Sequence, residues 1–387
     1  MSPNAHFFLH HYTINTSATL FPLMPPAARD RVLSVASATP HLLSALLAVS
    51  ADHYRRLRGD LSPEVRSRAV FFSRKAINGL RKAMADPSEM CQFSTIATVL
   101  ALCTNDILYG EIRHWRTHLR GAQQLLLLAV GKTRGSPAIT DPSTLFLVKW
   151  FAAIDLFAGI SSLEKNLITD GRYWSIGSSA DGSDQYVDDF VGFSLELMPI
   201  LSRIARMARL QQKRRLDPSL GSNYEEMAED LDSLLADSVS HTEKQLQALF
   251  GRCSSPTIIS TLAEETQLTH QLFVHAALLH LYRRVQELPK NHPKTKAAIS
   301  GVISTVEGLR RDSPANIITL WPLFSAGCET DDLEQRQYIK ASMINVARHG
   351  MGNVDKAMQA MEDYWESGAD ERWDLFLERQ GVDLVLF

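Results

Sequence analysis

Between positions 190 and 213 the chain reads "FVGFSLELMPILSRIARMARLQQK", and Phe193, Leu197, Ile200, Ile204 and Met207 follow one another at steps of three and four. That spacing returns to one side of a helix of about 3.6 residues per turn, while Arg203, Arg206, Arg209 and Lys213 fall on the other. The pattern predicts one amphipathic helix with a basic face. "SPEVRSRAVFFSRKAINGLRKAM", 62–84, behaves alike, with Val65, Ala69, Phe72, Ala76 and Leu80 inward. Its Ser62-Pro63-Glu64 opening suits a helix N-terminus. "LFLVKWFAAIDLFAGI", 145–160, is apolar all round apart from Lys149 and Asp155. It is short for a bilayer and charged, so it is expected as a buried helix. No alternating β-branched run bounded by hairpin turns occurs, and no fixed-period repeat. The fold class expected is all-α, an irregular multi-helix bundle with one large core.

Breaks fall where helices should join: Pro25-Pro26, Pro40, Pro63, Pro87 and "GKTRGSPAITDPS" at 131–143. The Gly-, Ser- and Asp-rich stretch 168–189 is expected as a flexible surface loop, either between two helical halves or within one compact domain. Residues 1–387 are taken as a single regulatory domain carrying that loop.

Composition is ordinary for a globular chain: 387 residues, 45% hydrophobic and 21% charged. A formal charge of -3 and a pI near 6.5 lack the basic excess that drives phosphate binding. Direct nucleic-acid contact and membrane insertion are not expected. The four cysteines, Cys91, Cys103, Cys253 and Cys328, show no Cys-x-x-Cys spacing, so neither a disulfide scaffold nor a zinc finger is signalled. The N-terminus has no Lys or Arg before its short apolar patch and reads as a first helix instead of a signal peptide.

Chemical motifs fail one by one. "GKTRGS" has Leu126 where a phosphate loop needs its first glycine. His270, His275 and His280 recur every five residues, which rotates each away from the last on a helix. Glu111, His114 and His118 share a face, as metal ligands would, but Trp115, Arg116 and Arg120 on the same helix suit a polar face better. No metal and no cofactor is expected. The row Arg203, Arg206, Arg209, Lys213, Arg214 and Arg215 reads as a solvated face partly paired with the following acidic segment Glu225, Glu226, Glu229, Asp230 and Asp232. Nucleophile-elbow and dinucleotide fingerprints are absent, so no catalytic residue is assigned.

Asp155 is expected as a tie between helices or as a ligand-facing group, since a buried carboxylate needs partners. If a pocket exists, the all-round apolar helices should wall it, with Trp150, Phe151, Phe157, Trp321, Phe324 and Met343 as lining residues alongside Asp155; ordinary core packing is the alternative. In "LWPLFSAGCETDD", 320–332, Pro322 suits a first helical turn. Leu320, Leu323, Phe324 and Gly327 should form its buried side, and Glu329, Asp331 and Asp332 a turn into the next helix. Cys328 has no basic neighbour or second cysteine and reads as wall.

Several ordered segments together resemble the second type of fungal-specific transcription factor domain, the C-terminal regulatory domain of binuclear zinc-cluster regulators. They are "FFLHHYTINTSATLFP", "TPHLLSALLAVSADHYRR", "HWRTHLRGAQQLL", "FLVKWFAAIDLFAGISS", "LELMPILSRIARMARL", "ALLHLYRRV" and "LWPLFSAGCETDD". The resemblance spans about Phe7 to Trp365. It implies an all-helical domain that regulates a DNA-binding module and, in some members, takes up a hydrophobic small molecule. The six-cysteine cluster itself is not in this sequence, so neither zinc nor DNA contact carries over to any residue. The expectation is regulation of transcription, extending to control of a metabolic gene cluster, in the nucleus with shuttling to the cytoplasm. The expected partners are an apolar effector, a transcriptional co-regulator and a second copy of the chain. Two other readings stay open: an enzyme or carrier for an apolar secondary metabolite using Asp155, His114, His118 and Cys328, and a scaffold docking through Arg203 to Arg215.

Overall fold

The computed structural model describes residues 3–60, 62–110, 114–131, 141–161, 187–250 and 256–386, with the side chains at 131, 239, 241–243 and 245–264 outside the description. Of the expected loop 168–189, only 187–189 are described, and Glu111 and Cys253 also lie outside. Helices account for all the regular structure among the described residues, so the chain is an all-α, multi-helix protein. It divides into two compact units, Met1–Asp155 with Ala347–Asp355, and Leu156–Val346 with Lys356–Phe387.

The first unit is built around helix α4. Its helices are α1 (Pro3–His11), α2 (Ser17–Leu20), α3 (Pro26–Ala38), α4 (Pro40–Arg58), α5 (Pro63–Ala85), α6 (Phe93–Tyr109) and α7 (Trp115–Gly131), followed by most of α8 (Pro142–Ile160). Helices α3, α4, α5 and α8 open on proline at the first position, where the missing N–H is one of the unbonded ones anyway. Helix α4 packs on α1, α3, α5 and α6. Its inward residues include Ser44, Ala45, Ala48, Ser50 and Ala51, small enough to let neighbouring axes approach. It ends on Gly59 at φ 62°, and the Asp60 N–H reaches back to the Arg55 carbonyl at 2.9 Å, a left-handed cap that glycine adopts without strain. Helix α5 buries Ala69, Phe72, Ala76 and Leu80 as its periodicity predicts, with Val65 half-buried. Helix α6 is buried from Thr95 to Asn105 and again at Ile107 and Leu108.

The second unit comprises α9 (Leu197–Arg214), α10 (Tyr224–Phe250), α11 (Pro256–His280), α12 (Pro293–Gly308), α13 (Leu320–Glu329), α14 (Leu333–Ala347), α15 (Gly352–Ser367) and α16 (Trp373–Arg379), with a 3-10 turn over Pro314–Thr319. The boundaries of α14 and α15 overlap the 347–355 segment that completes the first unit. Helix α11 packs on α9, α10, α12 and α13. A Cβ at Gly301 would overlap the His275 ring, so α11 and α12 approach as closely as they do because position 301 has no side chain. The predicted helix over 190–213 begins at Leu197; Phe193 is buried ahead of it. Helix α8 is long and apolar enough by composition to cross a membrane, yet 78% of it is buried inside the protein.

Candidate functional site

Helix α13 concentrates the chemistry of the second unit. The sequence pattern predicts one buried side; in the structure all ten of its residues are buried. Pro322 sits in its first turn, and a Cβ on Gly327 would overlap the Met361 sulfur and lie 3.1 Å from Ile339 Cγ2, so three helices meet there. Trp321 lies at the centre of an aromatic group: Phe273 stacks on it with centroids 5.8 Å apart, Phe157 meets it at 6.0 Å and the His280 ring at 4.9 Å. Phe193 adds to Phe273 at 4.5 Å, and Phe324 packs edge-on to Trp373 at 5.2 Å. The indole N–H of Trp321 is fully buried and has no hydrogen-bond partner among the described residues. An unmet buried donor costs about 1–3 kcal/mol, so it is an exception that needs a reason.

A buried polar spine runs beside these rings. Ser325 Oγ donates to the Trp321 carbonyl at 2.8 Å and so accepts from His280 Nε2, also at 2.8 Å. His280 Nδ1 must then accept, and Arg284 Nη1 donates to it at 3.1 Å. This arrangement requires a neutral imidazole, and burial, with the Arg284 charge, holds the His280 pKa well below its usual value. Arg284 Nε donates to Asp374 at 2.7 Å, and Nη1 also reaches the Ile160 carbonyl. Arg372 holds the other side of Asp374 at 3.1 Å. Burial alone would raise the Asp374 pKa, but Arg284 and Arg372 together outweigh it and keep the carboxyl below the ordinary range. Arg372 continues to Glu287 at 3.2 Å, which also binds Arg215 at 2.6 Å.

Glu329, expected in a turn into the next helix, is instead the last residue of α13 and is buried. It is 2% exposed and accepts from Arg283 Nε at 2.6 Å, while its other oxygen has no hydrogen-bond partner among the described residues. Burial raises its pKa despite the arginine. Arg284 Nη2 is likewise buried without a hydrogen-bond partner among the described residues. The sequence hides all of this because a charged residue next to a helix end looks like surface; only the fold brings Arg283 to it. Cys328 is fully buried, and burial followed by the Glu329 charge raises its thiol pKa well above normal, the opposite of an activated nucleophile.

The expected lining residues divide between the units. Phe157, Trp321, Phe324 and Met343 belong to the second, all at 5% exposure or less. Trp150, Phe151 and Asp155 belong to the first, equally buried. Trp150 differs from Trp321 in that its N–H is satisfied by Thr104 Oγ1 at 3.1 Å, and its ring packs on Phe21 at 5.2 Å and Phe146 at 5.8 Å. Asp155 is not left without a partner.

Sequence reading missed a histidine chain in the first unit, because its members are remote in sequence. His53 Nε2 points at the His349 carbonyl at 2.9 Å and must donate to it. His53 Nδ1 then accepts, from His11 Nε2 at 3.1 Å or Thr16 Oγ1 at 3.0 Å, and Asn15 Nδ2 lies 3.2 Å from His11 Nδ1. Burial favours the neutral form of both rings and, with the neighbouring His53, lowers His11 to about 4. In the same unit, Asp106 faces His118 at 3.5 Å and is raised by burial to about 6. His270, His275 and His280 serve separate contacts, His270 accepting from the Ser194 N–H at 3.2 Å.

The basic row of α9 is mostly neutralised. Arg203 pairs with Asp230 at 2.6 Å and Arg214 with Glu225 at 2.9 Å, as the acidic neighbouring segment predicts. Arg209 is a correction: instead of lying on the outer face it is 9% exposed, with Nη1 on the Gly159 carbonyl at 3.1 Å.

Among solved structures none matches this chain. Among characterised proteins, the pestheic acid cluster transcriptional regulator 3 of Pestalotiopsis fici is 22% identical over 429 aligned positions, covering 98% of this chain and 74% of that protein. The profile of the fungal specific transcription factor domain matches residues 7–387. With the match running through both helical units, from the histidine chain to the spine around α13, this chain belongs to the fungal specific transcription factor domain family, a family of transcription regulator domains.

Proposed function

We propose that this chain is a non-enzymatic regulatory domain that acts in the nucleus on the genes of a secondary-metabolic cluster, and that its second unit responds to an apolar small molecule. The regulatory reading rests on the family match and on a relative that is named as the regulator of one such cluster. The observation that carries the sensing reading is the Trp321 N–H, a fully buried donor without an acceptor amid Phe157, Phe273 and His280. An aromatic or aliphatic ligand carrying one carbonyl or ether oxygen would satisfy that donor while matching the surrounding rings. Binding would act by favouring one packing of α11 and α13 over another, a population shift set by differential affinity.

Deleting the gene and sequencing transcripts tests the regulatory part: a contiguous set of biosynthetic genes should change together, and unchanged transcripts would overturn it. For the sensing part, purified protein is incubated with an apolar extract of the producing organism and examined by native mass spectrometry. A retained small molecule that is lost in Trp321→Phe, with the helical circular dichroism intact, is the expected result. Wild-type protein that retains nothing rules out sensing and leaves the regulatory reading standing.

A further inference from the structure

Helix α5 is strongly basic. It holds Arg66, Arg68, Arg74, Lys75, Arg81 and Lys82 against a single acid, Glu64, in a chain whose formal charge is -3. Arg74, Lys75, Arg81 and Lys82 are exposed, and none has a carboxylate partner among the described residues. On α9 and at its C-cap, by contrast, Arg203, Arg214 and Arg215 all have one. Four unneutralised cations along one helix are repulsive at rest, so the face is better suited to a bound state than to an empty one.

Apolar residues interrupt the same face. Phe71 is 60% exposed, and Val70 and Met84 are each 44% exposed. Where α5 meets α1, a groove of about 660 Å³ opens between Asn4, Glu64, Arg68, Phe71 and Phe72. Its aromatic side is braced: Phe71 packs on Phe72 at 5.5 Å, Phe72 on Phe8 at 6.1 Å and Phe8 on Phe7 at 5.2 Å. The inner side of α5, with Ala69, Phe72, Ala76, Leu80 and Ala83, is already buried, which fixes the helix and the orientation of its outer face.

We infer that this groove and basic face dock an acidic amphipathic helix of a partner protein, with an apolar side chain entering beside Phe71 and carboxylates meeting Arg74, Lys75, Arg81 and Lys82. Helix-in-groove recognition needs an apolar slot for spaced anchors and opposite charge around it to set orientation, and both are present. A nucleic acid would use the cations but would have to bury Phe71 and Val70 against sugar and phosphate. A bilayer would need a continuous apolar face to enter it, and on α5 that face is turned into the fold. This surface goes beyond the regulatory reading and does not depend on the Trp321 site.

The test is fluorescence anisotropy with a labelled synthetic peptide of Glu, Leu and Phe, its apolar residues spaced three and four apart. A control peptide replaces every Leu and Phe by Ala. The wild-type chain should bind the first peptide, with affinity falling as salt rises, and bind the control at least about tenfold more weakly, equivalent to about 1.4 kcal/mol. Phe71→Ser, and separately the pair Arg74→Glu with Lys75→Glu, should each weaken binding about tenfold or more; both alter exposed side chains and should leave the helical circular dichroism unchanged. Arg206→Glu on α9 should bind as the wild type does. Equal binding of the two peptides, wild-type affinity in the α5 variants, or tighter binding of a DNA duplex or phosphatidylserine vesicles than of the peptide would each overturn the assignment.

Discussion

Asp374 is held between two arginines in the interior, and its loss would leave Arg284, 1% exposed, without the carboxylate it is hydrogen-bonded to. Asp374→Ala should therefore cost about 3–5 kcal/mol, far more than removing a surface pair, and chemical denaturation will measure it. The histidine chain makes a second prediction at this scale. His11 titrates near 6.5 in the unfolded chain and at about 4 when folded. Between those values the unfolded chain binds the extra proton, so stability falls as pH is lowered from 6.5 towards 4 and is untouched by this group above 6.5. Asp106, raised from 3.8 to about 6, acts in the opposite sense over an overlapping range. The diagnostic is thus a difference: His11→Gln should lose less melting temperature than the wild type between pH 6.5 and 4, because Asp106 is common to both proteins.

At the scale of elements, α11 runs into a π-turn over Leu281–Val285 and ends at Glu287 with φ 53°, a left-handed position usually taken by glycine. The Leu288 N–H closes the end on the Tyr282 carbonyl at 2.8 Å, while the Glu287 carboxylate holds Arg215 and Arg372. Glycine would relieve the backbone at the cost of those pairs; alanine would lose the pairs and keep the strain. Glu287→Ala should be less stable than Glu287→Gly by about 1 kcal/mol in thermal or denaturant unfolding. Helices such as α5 and α9 were legible in the sequence because a half-buried helix writes its period into the order of apolar residues. Buried ions were not legible: Arg209, Arg284, Glu329 and Asp374 carry the same letters as surface charges, and their partners are set by tertiary contact. Nor was the histidine chain, since His11, His53 and His349 lie hundreds of positions apart at the extremes. Trp321 was picked out by its apolar surroundings, but the pattern of apolar letters cannot say that its N–H lacks an acceptor whereas that of Trp150 has one.

For the molecule as a whole, the decisive fact is that the first unit is not continuous in sequence. Ala347–Asp355 belongs to it, supplying the His349 carbonyl to His53 and Asp355 to Arg56. Gly352 sits so close to the Leu108 carbonyl that any side chain there would collide with it. A fragment ending at residue 155 takes the His349 carbonyl away from His53 Nε2, leaving only the longer 3.4 Å contact to Thr19 Oγ1 among the described residues, and leaves the seat of Gly352 empty. Such a fragment should melt well below the full chain or fail to stay soluble, measured by circular dichroism and size-exclusion chromatography; a fragment as stable as the full chain would contradict this account. The same discontinuity sets an order of events during synthesis. The first 155 residues leave the ribosome long before their closing segment does, and at ~5–20 residues per second the wait spans about 10–40 s. Throughout that interval the apolar inner side of α4 and α6 is incompletely closed, which makes the nascent chain a client for chaperones. A premature stop codon late in the gene would therefore unmake the beginning of the protein as well as its end.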